Sequence, residues 1–538
     1  MKLRFAILSL GLLASVTSAR SEAPRLATAL ASRFEGDRTG VCVVAVRIEG
    51  NQAERAKFCA RTRAADATPS LGSAFEIGSV TKTMTSFLVA DLIVSGKWSL
   101  DDPIAAHLPA GTAVPRQGER QILVRDLLTH TSGLPALPSR LGSMDPRNPY
   151  AALSEADLLA SLSDVRLTRP IGSEPQYSNF GMMVVSDAVS GAYGTSYEAA
   201  LKARLFDPLG MKGAFVATPA PGEAVAVGHT ARGTPTPAWT ITPNLAGVGM
   251  VKATLDDMER YAMAEMVDGP LASRLRMTQQ PLSSRFAMNW SLMRAGDRDL
   301  LVHEGGTGGF SSFMGFDTAH HVAVVILADT ALTDLGGLAD VGMALLGTGT
   351  PIAPPRRAIP VPATLLQAMQ GDFDLGALKL HVRTEGARLF AQATGQAEFE
   401  LLSDDHGDFY PSTFDALLTP TIVGGRVDRF VWHQGGGAME GVRAGLADSP
   451  VATGAGLAPD CDGTYRLTPQ FNLRIFRADG NVKLQGTGQP AVAAEVVGPD
   501  RIEVKAAGAV VKFNRDAKGA VVGATLLQGG AVVEGIKQ

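Results

Sequence analysis

The sequence predicts an α+β domain, an antiparallel sheet flanked by helices, followed by two small antiparallel β-barrels. Three observations predict it. Strand-like runs at 41–48 and 321–328 bracket a stretch dominated by helical segments such as 80–95 and 154–163, so the terminal strands are expected to meet in one sheet. Residues 351–362 then carry Pro351, Pro354, Pro355, Pro360 and Pro362, the composition of a stiff extended linker. Beyond that linker, two segments repeat each other.

The repeat is short-range but ordered. Gly371-Asp-Phe-Asp-Leu375 matches Gly463-Thr-Tyr-Arg-Leu467, Thr394-Gly-Gln396 matches Thr487-Gly-Gln489, and Gln434-Gly-Gly436 matches Gln528-Gly-Gly530, at offsets of 92, 93 and 94 residues. Matches in order at a nearly constant offset indicate a duplicated module. Each copy holds alternating runs such as Leu378-Lys-Leu-His-Val382 and Val482-Lys-Leu484 with turn signals between them, the pattern of a small antiparallel barrel. Residues 445–459, rich in glycine and alanine and ending in Pro459, separate the copies. The expected order is therefore a first domain over 24–348, a linker over 349–363, a barrel over 364–446, a second linker over 447–459 and a second barrel over 460–538.

At 538 residues the chain exceeds one compact core, and about 100–200 residues per domain implies two to four domains. Its net charge is only −4, with lysine and arginine dispersed, which argues against a nucleic-acid partner because that needs a concentrated basic face. Residues 1–19 read as a cleaved signal peptide: Lys2 and Arg4 precede an apolar run from Phe5 to Val16, and Thr17-Ser18-Ala19 offers small residues for cleavage. The run is short for a bilayer span and no other segment is long and apolar enough, so stable membrane insertion is not expected and the periplasm or the exterior is. Cys42 and Cys59 flank a turn at Gly50-Asn51 and face each other in a hairpin centred there, which leaves two readings, a bridge or two buried thiols.

The chemistry concentrates in three short motifs. Phe75-Glu-Ile-Gly-Ser79-Val-Thr-Lys82 opens a helix, with Val80, Met84, Phe87, Leu88 and Leu92 on one face and Gly96 as a stop. Ser79 and Lys82, three apart, then project to the same side. A serine hydroxyl needs a base, and a lysine serves as one only when burial or nearby positive charge lowers its pKa. Tyr177-Ser178-Asn179 comes next: the phenol can share or relay a proton with Lys82, and the Asn179 amide can hold the lysine or a substrate amide. His303-Glu-Gly305-Gly306-Thr-Gly308-Gly309 precedes an alternating run, Ser311 to Asp317, and its glycines let a substrate lie against an edge strand. A backbone N–H there can complete an oxyanion hole with that of Ser79.

Together these motifs resemble the serine β-lactamase and penicillin-binding protein superfamily, on the side of class C β-lactamases, DD-carboxypeptidases and their esterase relatives. The matching residues are Ser79-x-x-Lys82, Tyr177-x-Asn179, and His303-Glu-Gly305 in place of a Lys-Thr-Gly strand motif. Gly96-Lys-Trp-Ser-Leu-Asp-Asp-Pro103, Leu127-Leu-Thr-His-Thr-Ser-Gly-Leu134 and Leu205-Phe-Asp-Pro-Leu-Gly-Met211 extend the resemblance over most of residues 30–348. It implies a class C β-lactamase-like domain with Ser79 as nucleophile, Lys82 and Tyr177 as the proton-transfer pair, and Asn179 as an orienting group. It also implies that His303 and Gly305 mark the substrate strand and that the Ser79 and Gly306 N–H groups form the oxyanion hole. One departure stands out: His303 replaces the usual lysine, and a neutral imidazole holds a substrate carboxylate less well. The duplicated tail is similar to the paired lipocalin-like barrels of some members, D-aminopeptidases and linear microcystinase among them, where a tail can narrow the cleft.

Other candidates carry less. No Gly-x-Ser-x-Gly occurs, His320-His321 lacks a third ligand at metal spacing, Asp101-Asp102 reads as a turn before Pro103, and His433 has a leucine counterpart in the second repeat. His130 is read either as lining the cleft or as packing at a helix end. No cofactor or metal is expected. The implied function is a serine peptidase or amidase acting through an acyl-enzyme on short or linearised peptides, D-residue-containing ones included. β-Lactamase, carboxylesterase and a penicillin-binding sensor without turnover are the alternatives.

Overall fold

The computed structural model describes residues 23–538, apart from 61–67, 446–456 and short stretches at 143–144, 146, 220–221, 297, 377, 424, 435–436, 469–470, 479–480, 488–490, 499, 505–508, 516–518 and 529–530. The expected signal peptide, and most of the second linker, lie outside the described residues.

Six strands form the sheet of the first domain: β1 (Cys42–Glu49), β2 (Gln52–Cys59), β3 (Ser291–Ala295), β4 (Arg298–Gly306), β5 (Ser311–Asp317) and β6 (Val322–Ala328). Their order is β2-β1-β6-β5-β4-β3 and every pairing is antiparallel. The chain's early and late strands thus meet, Val43 opposite Ala328. Strand periodicity sorts the side chains onto two faces. Val44, Val46, Ile48, Met314, Val325 and Leu327 join the core beneath the helical layer. Val43, Ala45, Val324 and Ile326 pack under helices α1 (Leu26–Phe34) and α6 (Ala339–Leu345). In the β1–β2 hairpin Cys42 stands opposite Cys59 in register, and the two form a disulfide.

The expectation of a one-faced helix after Ser79 is corrected. Helix α2 (Thr81–Val94) is buried on all sides from Thr81 to Leu92 because it runs through the middle of the helical layer. Its polar side chains are matched instead of solvated: Thr85 Oγ1 meets Tyr197 Oη and Gly247 O at 2.7 Å each, Ser86 accepts from Asn289 Nδ2, and Asp91 pairs with Arg204 and Arg274.

Two eight-stranded antiparallel sheets follow, each closed on itself. The first runs from Gly371–Asp374 to Gly437–Arg443 and closes through the strands Phe399–Asp404 and Phe409–Pro411. The second runs from Gly463–Thr468 to Ala531–Lys537 and closes first strand to last. The proline-rich run is not a free spacer. Ala358 and Ile359 pair with Asp404 and Ser403, adding a short strand to the first barrel, and Arg356 O accepts from Arg38 N. Arg38, buried, reaches Asp404 at 3.1 Å and lies 3.8 Å over the Tyr410 ring, while Arg356 pairs with both Asp404 and Asp408. The first barrel is therefore clamped to the first domain by a buried ion cluster. Removing one partner of such a cluster leaves buried charge poorly compensated. Arg38→Ala is expected to lower unfolding stability by about 3 kcal/mol, read as a fall in the urea midpoint; an unchanged midpoint would contradict the clamp.

Candidate active site

The site is built where the start of α2 meets the edge of the sheet. Phe75 and Glu76 pair with Ala253 and Lys252, which directs the chain into a 3₁₀ turn, Gly78–Val80, immediately before α2. Ser79 thus sits in that turn rather than in the helix itself. The pairing of β3 with β4 ends at Val302, so the outer edge of His303–Gly306 faces the Ser79 turn instead of another strand. The approach is close enough to demand glycine on both sides. Gly78 has φ +50°, and a Cβ there would lie 2.5 Å from Gly306 N. A Cβ on Gly305 would run into Ile77 O and Ser312 Oγ.

This geometry orients the backbone donors. Thr307 N–H donates to Phe310 O across the β4–β5 hairpin. Strand alternation then turns the Gly306 N–H away from β5, towards the Ser79 side. Ser312 Oγ donates to Ile77 O at 2.7 Å and ties the second sheet strand to the same turn.

Lys82 is fully buried on the first turn of α2. Its Nζ lies 2.8 Å from Ser79 Oγ and 2.6 Å from Val248 O, which comes from the 3₁₀ segment Pro243–Val248. Burial drives its pKa well below the ordinary lysine value. A neutral amine so placed can donate to Val248 O and turn its lone pair to the serine hydroxyl.

Tyr177 precedes helix α4 (Asn179–Tyr193), whose N-cap is Ser178, accepting from Gly181 N. The outer edge of the Tyr177 ring is exposed, but its hydroxyl reaches down to Ser79, and Lys82 Nζ stands 4.9 Å from the ring centroid. Crowding in the cleft raises the phenol pKa above its usual value, partly offset by the Ser79 hydrogen bond. The group therefore stays protonated at neutral pH and suits proton delivery. Asn179 donates Nδ2–H to Tyr150 Oη at 3.1 Å and leaves a buried Oδ1 with no hydrogen-bond partner among the described residues.

His303 is buried on β4, with Nδ1 2.6 Å from Asn289 O. A carbonyl only accepts, so Nδ1 carries the proton and Nε2 is left as an acceptor. Burial lowers its pKa to about 3, so the ring is neutral. Glu304 turns the other way, its Oε1 accepting the Leu338 N–H at the start of α6.

The structure thus brings Ser79, Lys82, Tyr177, Asn179, His303, Gly305 and Gly306 together around one cleft. It also supplies groups the sequence did not reveal. The Val248 carbonyl is a backbone atom and has no residue signature. Tyr150, edge-on to Trp239, comes from a loop without periodic pattern. His433 lies instead in the first barrel, and His320 Nδ1 sits 2.7 Å from Asp317. Among the described residues no group of three or more His, Cys, Asp or Glu could hold a metal ion.

Residues 26–346 match the protein-family model described as Beta-lactamase. The chain is similar to the D-alanyl-D-alanine-carboxypeptidase/endopeptidase AmpH of Escherichia coli (strain K12), 26% identical over 326 residues that cover 56% of this chain and 82% of that one. It is also similar to penicillin-binding protein 4 of Amycolatopsis lactamdurans, 31% identical over 206 residues, 37% of this chain and 52% of that protein. Among solved structures, a beta-lactamase/D-alanine carboxypeptidase from Yersinia pestis complexed with citrate aligns with a TM-score of 0.48 at 22% identity, covering 60% of this chain and 93% of that one.

The electrostatics give a pH dependence. A base must be deprotonated to act, so turnover of a p-nitrophenyl ester should climb as pH rises through the depressed Lys82 pKa and be lost below it. His130 and His303, both held at about 3, should add no limb near the ordinary histidine value of 6.5. A limb at that value that disappeared in His303→Gln would contradict the assignment of neutral histidines.

Proposed function

The chain belongs to the beta-lactamase family, and from that premise we propose that it is a serine hydrolase working through a Ser79 acyl-enzyme on short or linearised peptides, including those with D-residues. The observation that carries the reading is the contact of Ser79 Oγ with a fully buried Lys82, whose charged form burial disfavours. In acylation, Ser79 Oγ attacks the substrate carbonyl while its proton passes to Lys82 Nζ. The oxyanion faces the Ser79 and Gly306 N–H groups. Tyr177, hydrogen-bonded to Ser79, hands a proton to the departing amine and recovers one from the Lys82 ammonium. Water then attacks the ester with Lys82 and Tyr177 again moving the proton, and Ser79 is released. Asn179, whose Oδ1 has no hydrogen-bond partner among the described residues, accepts a substrate amide N–H.

Two observations support peptides over β-lactams. His303 is neutral, so the strand that would hold a substrate carboxylate carries no positive charge there. The relative AmpH is named for peptide cleavage. Residues 1–19 favour a periplasmic or secreted location, and no helix among the described residues is long and apolar enough to cross a membrane.

Ser79→Ala should abolish labelling by a fluorophosphonate and by a fluorescent penicillin; labelling that survives would overturn the assignment. Lys82→Ala should slow acylation by roughly 10²–10⁴-fold. In a panel of D- and L-aminoacyl amides, short peptides, esters and nitrocefin, the amides and peptides are expected to give the highest kcat/KM. Preference for nitrocefin would make the enzyme a β-lactamase, preference for esters a carboxylesterase, and a stoichiometric adduct without turnover a sensor.

A further inference from the structure

His130 lies in Leu127-Leu-Thr-His-Thr-Ser-Gly-Leu134, a turn the proposed chemistry leaves unused. It is nearly fully buried and, among the described residues, is one of three non-glycine residues at positive φ, +58°. Such a conformation is uncommon outside glycine, asparagine and aspartate, although histidine tolerates it better than most residues. The surroundings show what it does. The His130 carbonyl accepts the Gln176 N–H at 2.7 Å, and its Nδ1 accepts the Ser178 N–H at 3.3 Å. The residue between those two donors is Tyr177, and the His130 ring lies against the Tyr177 ring at 4.4 Å between centroids.

One residue therefore holds the Tyr177 segment at three points: the Gln176 N–H, the Ser178 N–H and the tyrosine ring face. The neighbouring bonds reinforce the grip. Gly172 N–H donates to Thr131 O and Phe180 N–H to Ala136 O, so the 130–136 turn is the template on which the 172–180 segment lies. The left-handed backbone at 130 is what lets carbonyl and ring reach the same segment. Because Nδ1 accepts from a backbone N–H, the neutral ring carries its proton on Nε2. That atom is buried and without a hydrogen-bond partner among the described residues, a polar group the core would not retain for packing alone. Phe286, edge-on at 5.8 Å, closes another side of the ring.

We propose that His130 is the positioning residue for Tyr177, holding the phenol at the height where its hydroxyl meets Ser79. It acts through Tyr177 and touches no reacting atom; the inference rests on the Ser79 acyl-enzyme reading. The neutral state of the ring, its pKa depressed to about 3 by burial, keeps Nδ1 an acceptor through the working pH range.

The test uses substitutions that tolerate the left-handed backbone. His130→Gly keeps the carbonyl contact but removes the ring; His130→Asn restores an acceptor oxygen. With an alanine p-nitroanilide as probe, whose departing amine needs a proton, His130→Gly should lower kcat by roughly 10- to 100-fold with KM within about threefold, the signature of a misplaced proton donor. His130→Asn should recover most of the loss. In a Tyr177→Phe background the glycine variant should lower kcat by less than about twofold more, since a residue acting through Tyr177 has nothing left to position. The proposal is overturned if His130→Gly keeps kcat within about twofold, or if its loss is undiminished in the Tyr177→Phe background. Should the glycine variant fail to fold, His130→Asn alone decides: its deficit must vanish in the Tyr177→Phe background. Absence of Ser79 labelling in the wild-type protein would instead defeat the acyl-enzyme reading, a separate outcome.

Discussion

The site depends on keeping one ammonium group out of water. Lys82 lies on a helix buried on every side, so its charged form is penalised and the neutral amine is favoured at 2.8 Å from Ser79. The remaining polarity of the amine is absorbed by the Val248 carbonyl at 2.6 Å. A lysine on an exposed helix face would remain charged and could not accept a proton. Complete burial of α2, which looks like a matter of packing, is therefore what favours the deprotonated amine.

Burial also explains why the site straddles two layers. Ser79 and Lys82 come from the helical side, while His303, Gly305 and Gly306 come from the sheet edge. They meet only because Gly78 and Gly305 remove the side chains that would hold the layers apart. The two histidines near Lys82 are kept neutral by the same burial that disfavours the lysine's charge, and their tautomers are fixed by backbone partners, Asn289 O for His303 and Ser178 N–H for His130. The result is a cleft floor rich in hydrogen-bonding groups and poor in charge.

Much of this was legible in the sequence because its signals are local. The three-residue spacing of Ser79 and Lys82, the Tyr177–Asn179 triplet and the glycine-flanked His303 each report a short stretch of backbone, and the repeated tail reported its own duplication. What escaped depends on contacts between distant segments. The Val248 carbonyl carries no side-chain signature. The role proposed for His130 rests on a positive φ and on a segment more than forty residues away. The apolar spacing in α2 suggested one buried face, but Thr83, Thr85, Ser86 and Asp91 are buried too, satisfied by partners such as Tyr261, Tyr197, Asn289 and Arg274. The proline-rich run reads in the sequence as a stiff linker, and its anchoring beside the Arg38–Asp404 clamp was not legible because that pair joins residues 366 apart.

The most direct measurement is the titration of Lys82 itself. In protein labelled with ¹³C at lysine Cε, the Lys82 resonance, assigned by its loss in Lys82→Arg, should shift with a midpoint well below the ~10.4 of exposed lysines. A Lys82 that titrates together with the surface lysines would contradict the account at its base.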